Sequence, residues 1–196
     1  MTSLLRTIAF NKPYGVLPCF IDPEGRPTLA DYVAIPGVYA AGRLDLDSEG
    51  LLLLTSDGTL AHHITDPQHK LPKVYLAQVE RIPNNEALEQ LRRGVVLSGK
   101  KTRPAEVRLL PDDPQLSDRP VPIRFRKNVP TAWVEITLRE GLNRQVRRMT
   151  AAVGHPTLRL TRVAIGPVVL GDLPPGQWRD LTSHEIEQIY SAASRR

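Results

Sequence analysis

The sequence predicts an α+β protein, with a mixed, largely antiparallel sheet flanked by a few helices. Segments in which apolar and polar residues alternate are more numerous than segments of helical periodicity. The clearest alternating segment runs from Ala132 to Leu138, and a second one surrounds Leu158 and Leu160. Hydrophobic residues make up 41% of the 196 residues. That share and that length are sufficient for the core of one catalytic domain.

Three further segments are strand candidates. They are Leu51–Thr55, Val74–Val79 and Ala105–Leu110. The first is apolar at four consecutive positions, which is typical of a strand covered on both faces. It is followed by Ser56-Asp57-Gly58, which favours a turn.

Helices are predicted where capping residues precede an apolar stripe. Asn84 or Asn85 is placed to cap a helix that carries Leu88 and Leu91 and ends at Gly94. Near the C-terminus, Thr182 and Glu185 have the spacing of a capping box. These signals predict one helix in the middle of the chain and one close to its end.

A third helix is predicted between Asn143, as its cap, and Gly154. Its buried stripe consists of the residues at i, i+3, i+4 and i+7, namely Val146, Met149, Thr150 and Val153. At about 100° per residue, Arg144 and Arg148 then face solvent. Arg147 falls at the edge of the stripe, where its side chain could reach into a pocket.

Composition excludes several classes of protein. Cys19 is the single cysteine, so an intrachain disulfide and a cysteine-rich zinc site are both excluded. The sequence shows neither a signal peptide nor an apolar stretch of membrane-spanning length. We therefore expect a cytoplasmic protein that does not act in a membrane.

The positive charge is concentrated in one part of the chain. The net charge is +5, and residues 119–162 contain ten Lys/Arg but only two acidic residues, a local net charge of +8. The remainder of the chain therefore carries −3. Such a basic segment is typical of a surface that binds a polyanion such as nucleic acid. On charge alone, a solvated surface explains it equally well.

Three short segments carry residues suited to chemistry or binding. In residues 42–50, GRLDLDSEG, an acidic loop leads directly into the apolar strand, which makes its aspartates candidate bases or nucleophiles. A turn whose aspartates cap backbone amides is the alternative. Residues 73–79 contain Tyr75, whose ring either packs at the edge of a core or stacks on an unpaired base. Residues 140–149 form the arginine-rich start of the third helix, which suits phosphate.

Together these segments resemble the successive motifs of the RsuA-like family of pseudouridine synthases. The opening NKPYGV at residues 11–16 and the closing GDLPPGQWRDLT at residues 171–182 extend the resemblance over almost the whole chain. It implies the pseudouridine synthase fold, with two lobes around a central cleft. It also implies a single catalytic domain over residues 1–190, a tail over residues 191–196, and no N-terminal S4 RNA-binding domain.

The resemblance implies an enzyme that isomerises a specific uridine of RNA to pseudouridine. The reaction breaks the N1–C1′ bond, turns the detached uracil and rejoins it through C5, with no metal or organic cofactor. The start NKPYGVLP and residues 122–138 are most similar to family members that act on 23S (large-subunit) ribosomal RNA. The expected partners are this RNA or a pre-50S particle, and the expected oligomeric state is a monomer.

The resemblance also implies a role for individual residues. Asp45, rather than Asp47, matches the essential aspartate, and Arg147 matches the basic residue that forms an ion pair with it. Tyr75 matches the tyrosine that stacks on the target base, and Arg43 the residue that fills the gap left by the flipped uridine. Leu160 matches an apolar wall of the pocket, with a core role as the alternative. The residues expected to contact RNA phosphates are Arg144, Arg148 and Arg162.

Alternative functions remain open at this level. The same chemistry could act on small-subunit ribosomal RNA or transfer RNA, or the chain could be a non-catalytic RNA-binding or ribosome-assembly factor. A zinc deaminase is excluded by the single cysteine. The adjacent pair His62-His63 lacks the spacing of a metal site and is interpreted as a polar patch on a short helix.

Overall fold

A computed structural model describes residues 5–66, 68–69, 71–123 and 128–194 of the chain. Part of the segment 122–138 and the last two residues of the predicted tail therefore lie outside the described residues. The chain divides into two compact units. Unit 1 comprises Met1–Leu71 and Arg162–Arg196, and unit 2 comprises Pro72–Thr161.

The secondary structure alternates between short strands and short helices. In the described ranges the strands are β1 (Thr7–Lys12), β2 (Tyr39–Ala40), β3 (Glu49–Thr55), β4 (Lys73–Glu80), β5 (Val96–Leu97), β6 (Lys100–Lys101), β7 (Glu106–Leu109), β8 (Thr131–Leu138), β9 (Thr157–Ile165), β10 (Val168–Val169) and β11 (Trp178–Asp180). The helices are a 3-10 turn (Leu29–Asp31), α1 (Gly58–Thr65), α2 (Asn85–Arg93), α3 (Gln145–Ala152) and α4 (Ser183–Ser194). None of the helices in the described ranges is long and apolar enough to cross a membrane.

The sheet of unit 1 has the strand order β11–β1–β3–β9, with β2 on β3 and β10 on β9. Strands β1 and β3 are antiparallel, from Thr7 opposite Thr55 to Lys12 opposite Gly50. The apolar run of β3 is divided between two cores. Leu51 and Leu53 belong to a cluster that includes residues of α1 and α4. Leu52 and Leu54 belong to a second cluster, which includes Phe10 and Val38. Burial on both faces explains why this strand is continuously apolar.

The sheet of unit 2 has the order β9–β4–β8–β7, to which β9 contributes its first residues, Thr157–Thr161. Strands β4 and β8 are antiparallel throughout, from Lys73 opposite Leu138 to Glu80 opposite Thr131. Helices α2 and α3 cover one core together with the sheet. Its members include Leu88, Leu91, Val134, Ile136, Val146, Met149 and Leu160. The predicted α+β class, with a mixed sheet and a few helices, is confirmed.

Several predicted element ends differ from the structure. Asn84 caps α2 and Gly94 ends it, as predicted. Helix α3, however, is preceded by Arg144 rather than by Asn143 as its cap. Asp57 was expected in a turn, and its carboxylate instead caps α1 by accepting hydrogen bonds from Thr59 and Leu60. Helix α4 continues to Ser194, so the described part of the predicted tail, residues 191–194, is helical.

Candidate active site

The loop that carries Asp45 leads into β3 in unit 1. The N–H of Ser48 donates to the carbonyl of Asp45 at 3.1 Å, which closes a turn over residues 45–48. The N–H of Gly15 donates to the carbonyl of Leu46 at 2.9 Å and ties this turn to the segment after β1. Leu44 is buried, Asp45 is half-buried, and Arg43 is exposed. The turn therefore holds Asp45 partly exposed, next to the buried side chain of Leu44.

Arg162, on β9, supports this loop from the interior of unit 1. Its Nε donates to the carbonyl of Leu51 at 2.8 Å, and its Nη1 donates to the carbonyl of Arg43 at 3.3 Å. The residue is only 4% exposed. The sequence predicted that Arg162 contacts phosphate, and this burial argues against that role. Its guanidinium instead fixes the main chain two residues before Asp45.

Lys12, at the end of β1, is fully buried in the same unit. Its Nζ donates to the carbonyls of Pro13 at 2.9 Å and Val16 at 2.7 Å. Burial lowers the pKa of Lys12 from 10.5 to about 8, because desolvation penalises the ammonium form. The charges of Glu49, Asp47 and Asp45 act in the opposite direction and raise this pKa. A buried cation thus lies in the field of the acidic loop.

Sequence reasoning assigned no role to Lys12, although the residue lies within the opening motif. A signal was present, because Lys12 ends a strand whose preceding residues, TIAFN, are largely apolar. A lysine at such a place is buried only when its ammonium group has polar partners. Asp45 and Asp47 are both half-buried, so burial does not distinguish between them. The choice of Asp45 still rests on the resemblance.

In unit 2 the start of α3 carries the predicted arginines. Arg144 is exposed and has the left-handed conformation, with φ 48° and ψ 37°. Gln145 is buried, and its side-chain carbonyl accepts a hydrogen bond from the N–H of Leu142 at 3.0 Å, which fixes the turn into the helix. Arg147 is half-buried and donates through Nη1 to the carbonyl of Thr157 at 3.2 Å. The predicted position of Arg147 at the edge of the buried stripe is confirmed.

Arg148 is held by the turn between β5 and β6. Its Nη2 donates to the hydroxyl of Ser98 at 2.6 Å, and its Nη1 approaches the carbonyl of Asn143 at 3.5 Å. Tyr75, on β4, is half-buried and packs against the core of unit 2. Leu160 is a buried member of that core. The structure thus gives Leu160 the packing role, and its role as a pocket wall stays a prediction.

The predicted residues are therefore distributed over both units. Arg43, Asp45 and Arg162 belong to unit 1, where Arg162 connects the loop to β3. The residues in unit 2 are Tyr75, Arg144, Arg147, Arg148 and Leu160. Unit 1 contributes a carboxylate on a supported turn, which can serve as a nucleophile or a base. Unit 2 contributes an aromatic ring and several guanidinium groups, which suit bases and phosphates.

Comparison with known proteins defines the class. The family model described as RNA pseudouridylate synthase matches residues 6–152. The chain belongs to this family, and it is an isomerase that converts uridine of RNA to pseudouridine. The match covers the Asp45 loop, Tyr75 and the start of α3.

Individual relatives are closer still. The chain is 59% identical over 174 residues to the ribosomal large subunit pseudouridine synthase E of Xanthomonas campestris pv. campestris, covering 88% of this chain and 93% of that protein. It is 53% identical over 176 residues to the enzyme of the same name from Vibrio parahaemolyticus, covering 90% of this chain and 74% of that protein. A crystal structure of a pseudouridylate synthase is 32% identical, with a TM-score of 0.78 over 94% of this chain and 74% of that one. The predicted resemblance, including its likeness to synthases of large-subunit ribosomal RNA, is confirmed.

Proposed function

We propose that this chain converts a specific uridine of 23S ribosomal RNA to pseudouridine, with Asp45 as its essential carboxylate. The relatives at 53–60% identity are named as large-subunit synthases, which supports the choice of RNA. The observation that carries the role of a carboxylate here is the turn over residues 45–48, which is fixed by hydrogen bonds at Ser48 and Leu46, and the resemblance selects Asp45 within it. Arg162 holds the main chain just before it. A catalytic group needs such a fixed position to act repeatedly on one ribose.

The carboxylate has two routes open to it. It can attack C1′ of the ribose, so that the N1–C1′ bond breaks and a covalent sugar ester forms, as in retaining glycosidases. Alternatively it can remove a ribose proton and produce a glycal. In both routes the uracil turns and C5 bonds to C1′. In the first route the ester bond breaks and frees the carboxylate, and in the second the carboxylic acid returns the ribose proton. The proton on C5 is then released to solvent. Release of that proton is therefore the signature of the reaction.

The remaining residues receive roles that their surroundings support. The resemblance gives Arg147 the role of basic partner to the essential aspartate, and its hydrogen bond to the carbonyl of Thr157 would limit its movement. Tyr75 offers a half-buried ring to the flipped base. Arg43 is exposed, as a side chain that enters the vacated position in the RNA must be. Arg144 contacts phosphate from the exposed start of α3.

Partner and location complete the proposal. We expect the chain to act as a monomer in the cytoplasm, where the single thiol of Cys19 stays reduced. Its substrate is either free 23S RNA or a pre-50S particle. Small-subunit RNA and transfer RNA are the alternatives for the same chemistry.

The proposal is tested by tritium release from ribosomal RNA labelled at C5 of uridine. The wild type is compared with Asp45→Asn and with Asp47→Asn as the matched control. Both aspartates are half-buried in the same loop, and both substitutions remove one negative charge. We expect the wild type and Asp47→Asn to release tritium, and Asp45→Asn to release none while still folding and binding RNA.

The same assay separates the alternatives. An active Asp45→Asn beside a folded, inactive Asp47→Asn would overturn the choice of carboxylate. Release from 16S or transfer RNA but not from 23S RNA or pre-50S particles would overturn the substrate. Binding to RNA without release from any of them would favour a non-catalytic RNA-binding factor.

A further inference from the structure

The strands β5 and β6 of unit 2 form a two-stranded hairpin outside the main sheet. Val96 pairs with Lys101 and Leu97 with Lys100. The connecting residues, Ser98 and Gly99, have φ values of 51° and 78°. Positive φ at both central residues is what a two-residue type I′ turn requires. The hairpin is therefore tight, and it contains two consecutive lysines.

The base of this hairpin is fixed to the end of α2. The N–H of Thr102 donates to the carbonyl of Val95 at 2.9 Å, and the hydroxyl of Thr102 accepts from the N–H of Val95 at 3.0 Å. Gly94 permits this approach, because a Cβ added there would lie 2.4 Å from the carbonyl oxygen of Thr102. Leu97 is buried in the core of unit 2. The hairpin is anchored on one side by packing and at its base by hydrogen bonds.

The turn of the hairpin is bound to α3. The hydroxyl of Ser98 accepts a hydrogen bond from Arg148 at 2.6 Å. Arg148 is one of the arginines expected from the sequence to contact phosphate. The turn that leads into Lys100 and Lys101 is thereby bound to the basic start of α3. Lys100 and Lys101 are both exposed.

Arg108 and Arg139 of unit 2 are paired with acidic side chains, whereas the hairpin lysines are not paired with acids that the structure describes. Arg108 forms two hydrogen bonds with the carboxylate of Glu135, and Arg139 lies 3.4 Å from Glu106. Among the residues that the structure describes, Lys100 and Lys101 form no ion pair with an acid. An exposed cation without an acidic partner retains its full attraction for a polyanion.

We propose that the β5–β6 hairpin is a second phosphate-contacting element, in which Lys100 and Lys101 extend the basic surface of α3 along the RNA backbone. The inference deepens the proposed function and rests on RNA being the substrate. The occupant is RNA rather than an acidic protein segment, because the arginines at the start of α3 continue the same surface. Ammonium groups on a fixed hairpin contact phosphates without reading sequence.

The test measures the dissociation constant of the full-length protein for its RNA substrate at several salt concentrations. The double variant Lys100→Gln/Lys101→Gln is compared with Arg108→Gln/Arg139→Gln, which removes the same two charges from ion pairs elsewhere in unit 2. Each phosphate contact contributes about 0.7 to the slope of log K against log salt for a single strand. We expect the lysine variant to lose about 1.4 of this slope. The arginine control should retain the wild-type slope.

The possible outcomes distinguish the two proposals. An unchanged slope in the lysine variant, or an equal loss in the arginine control, would overturn the hairpin proposal while leaving the isomerase intact. If the affinity of the wild-type protein for RNA does not depend on salt, both the proposed substrate and the proposed role of the hairpin are overturned. The single variants serve as a check on folding and additivity, and each should lose about half of the slope.

Discussion

The two units of the chain differ in the sign of their charge. Unit 1 contains 9 Lys/Arg and 12 Asp/Glu, a net charge of −3, whereas unit 2 contains 17 Lys/Arg and 9 Asp/Glu, a net charge of +8. The basic character of the protein therefore resides in residues 72–161. We infer a division of tasks, in which unit 2 attracts the phosphate backbone and unit 1 supplies the reacting carboxylate.

The cations of the two units also differ in their surroundings. In unit 1, Lys12 and Arg162 are buried and donate to main-chain carbonyls around the Asp45 loop. In unit 2, Lys100, Lys101 and Arg144 are exposed. A buried cation fixes a loop and sets its local field, whereas an exposed cation attracts a ligand from solution. Substitutions of the buried cations of unit 1 should therefore affect turnover, and those of the exposed cations of unit 2 should affect affinity.

The largest expected effect is that of Arg162→Met. The substitution removes the hydrogen bonds that the carbonyls of Leu51 and Arg43 accept from Arg162. We expect kcat to fall by roughly 100-fold, because small displacements of a catalytic group have effects of this size. Stability should also fall, by about 3 kcal/mol. Single-turnover tritium release and urea unfolding measure the two quantities.

A control separates misplacement of the loop from general loss of stability. Arg179, also in unit 1, forms two hydrogen bonds with the carboxylate of Glu185, remote in sequence from the Asp45 loop. Arg179→Met should lower stability and leave kcat unchanged. Arg162→Lys keeps the charge but cannot make both hydrogen bonds of the guanidinium group, so this variant should fold but turn over slowly. Equal activity in Arg162→Lys and the wild type would contradict the supporting role.

A second prediction concerns the pH dependence of stability in unit 1. The pKa of Lys12 is lowered from 10.5 to about 8 by burial. Between these values the unfolded chain binds a proton that the folded chain does not, so the free energy of unfolding rises with pH through this window. We expect Lys12→Met to lack this contribution. The difference in unfolding free energy between the wild type and Lys12→Met should therefore change by a few kcal/mol at most between about pH 8 and 10.5.

Denaturant unfolding of both proteins across this pH range provides the measurement. Taking the difference between them removes the contribution of the other lysines and tyrosines, which titrate in the same range. Parallel curves would show that the ammonium group of Lys12 is not destabilised by its surroundings. Below about pH 8 the two states bind the same proton, so the difference should be constant there.

Local sequence signals predicted the parts of the fold that local interactions determine. The Asn84 cap, the capping box of Thr182 and Glu185, and the buried stripe of α3 all depend on residues within one or two turns. The support of the site depends instead on remote partners. Arg162 is 111 residues from Leu51, its hydrogen-bond partner, and Ile8 of β1 pairs with Asp180 of β11. Periodicity does not contain such pairings, so the sequence did not show that Arg162 is buried and donates to the main chain before Asp45.

The smallest expected effect is in unit 2, where Tyr75 is proposed to stack on the flipped base. Tyr75→Ala should weaken binding of the target RNA by about 1–3 kcal/mol, the usual contribution of one stacked base. Tyr75→Phe keeps the ring and should bind as the wild type does. Because Tyr75 also packs against the core of unit 2, RNA with an abasic target position provides the control. The wild type and Tyr75→Ala should bind that RNA equally well, and a deficit of the alanine variant there would show that Tyr75 acts through packing. If Tyr75→Ala and Tyr75→Phe lose the same affinity for intact RNA, the hydroxyl group rather than the ring contacts the RNA.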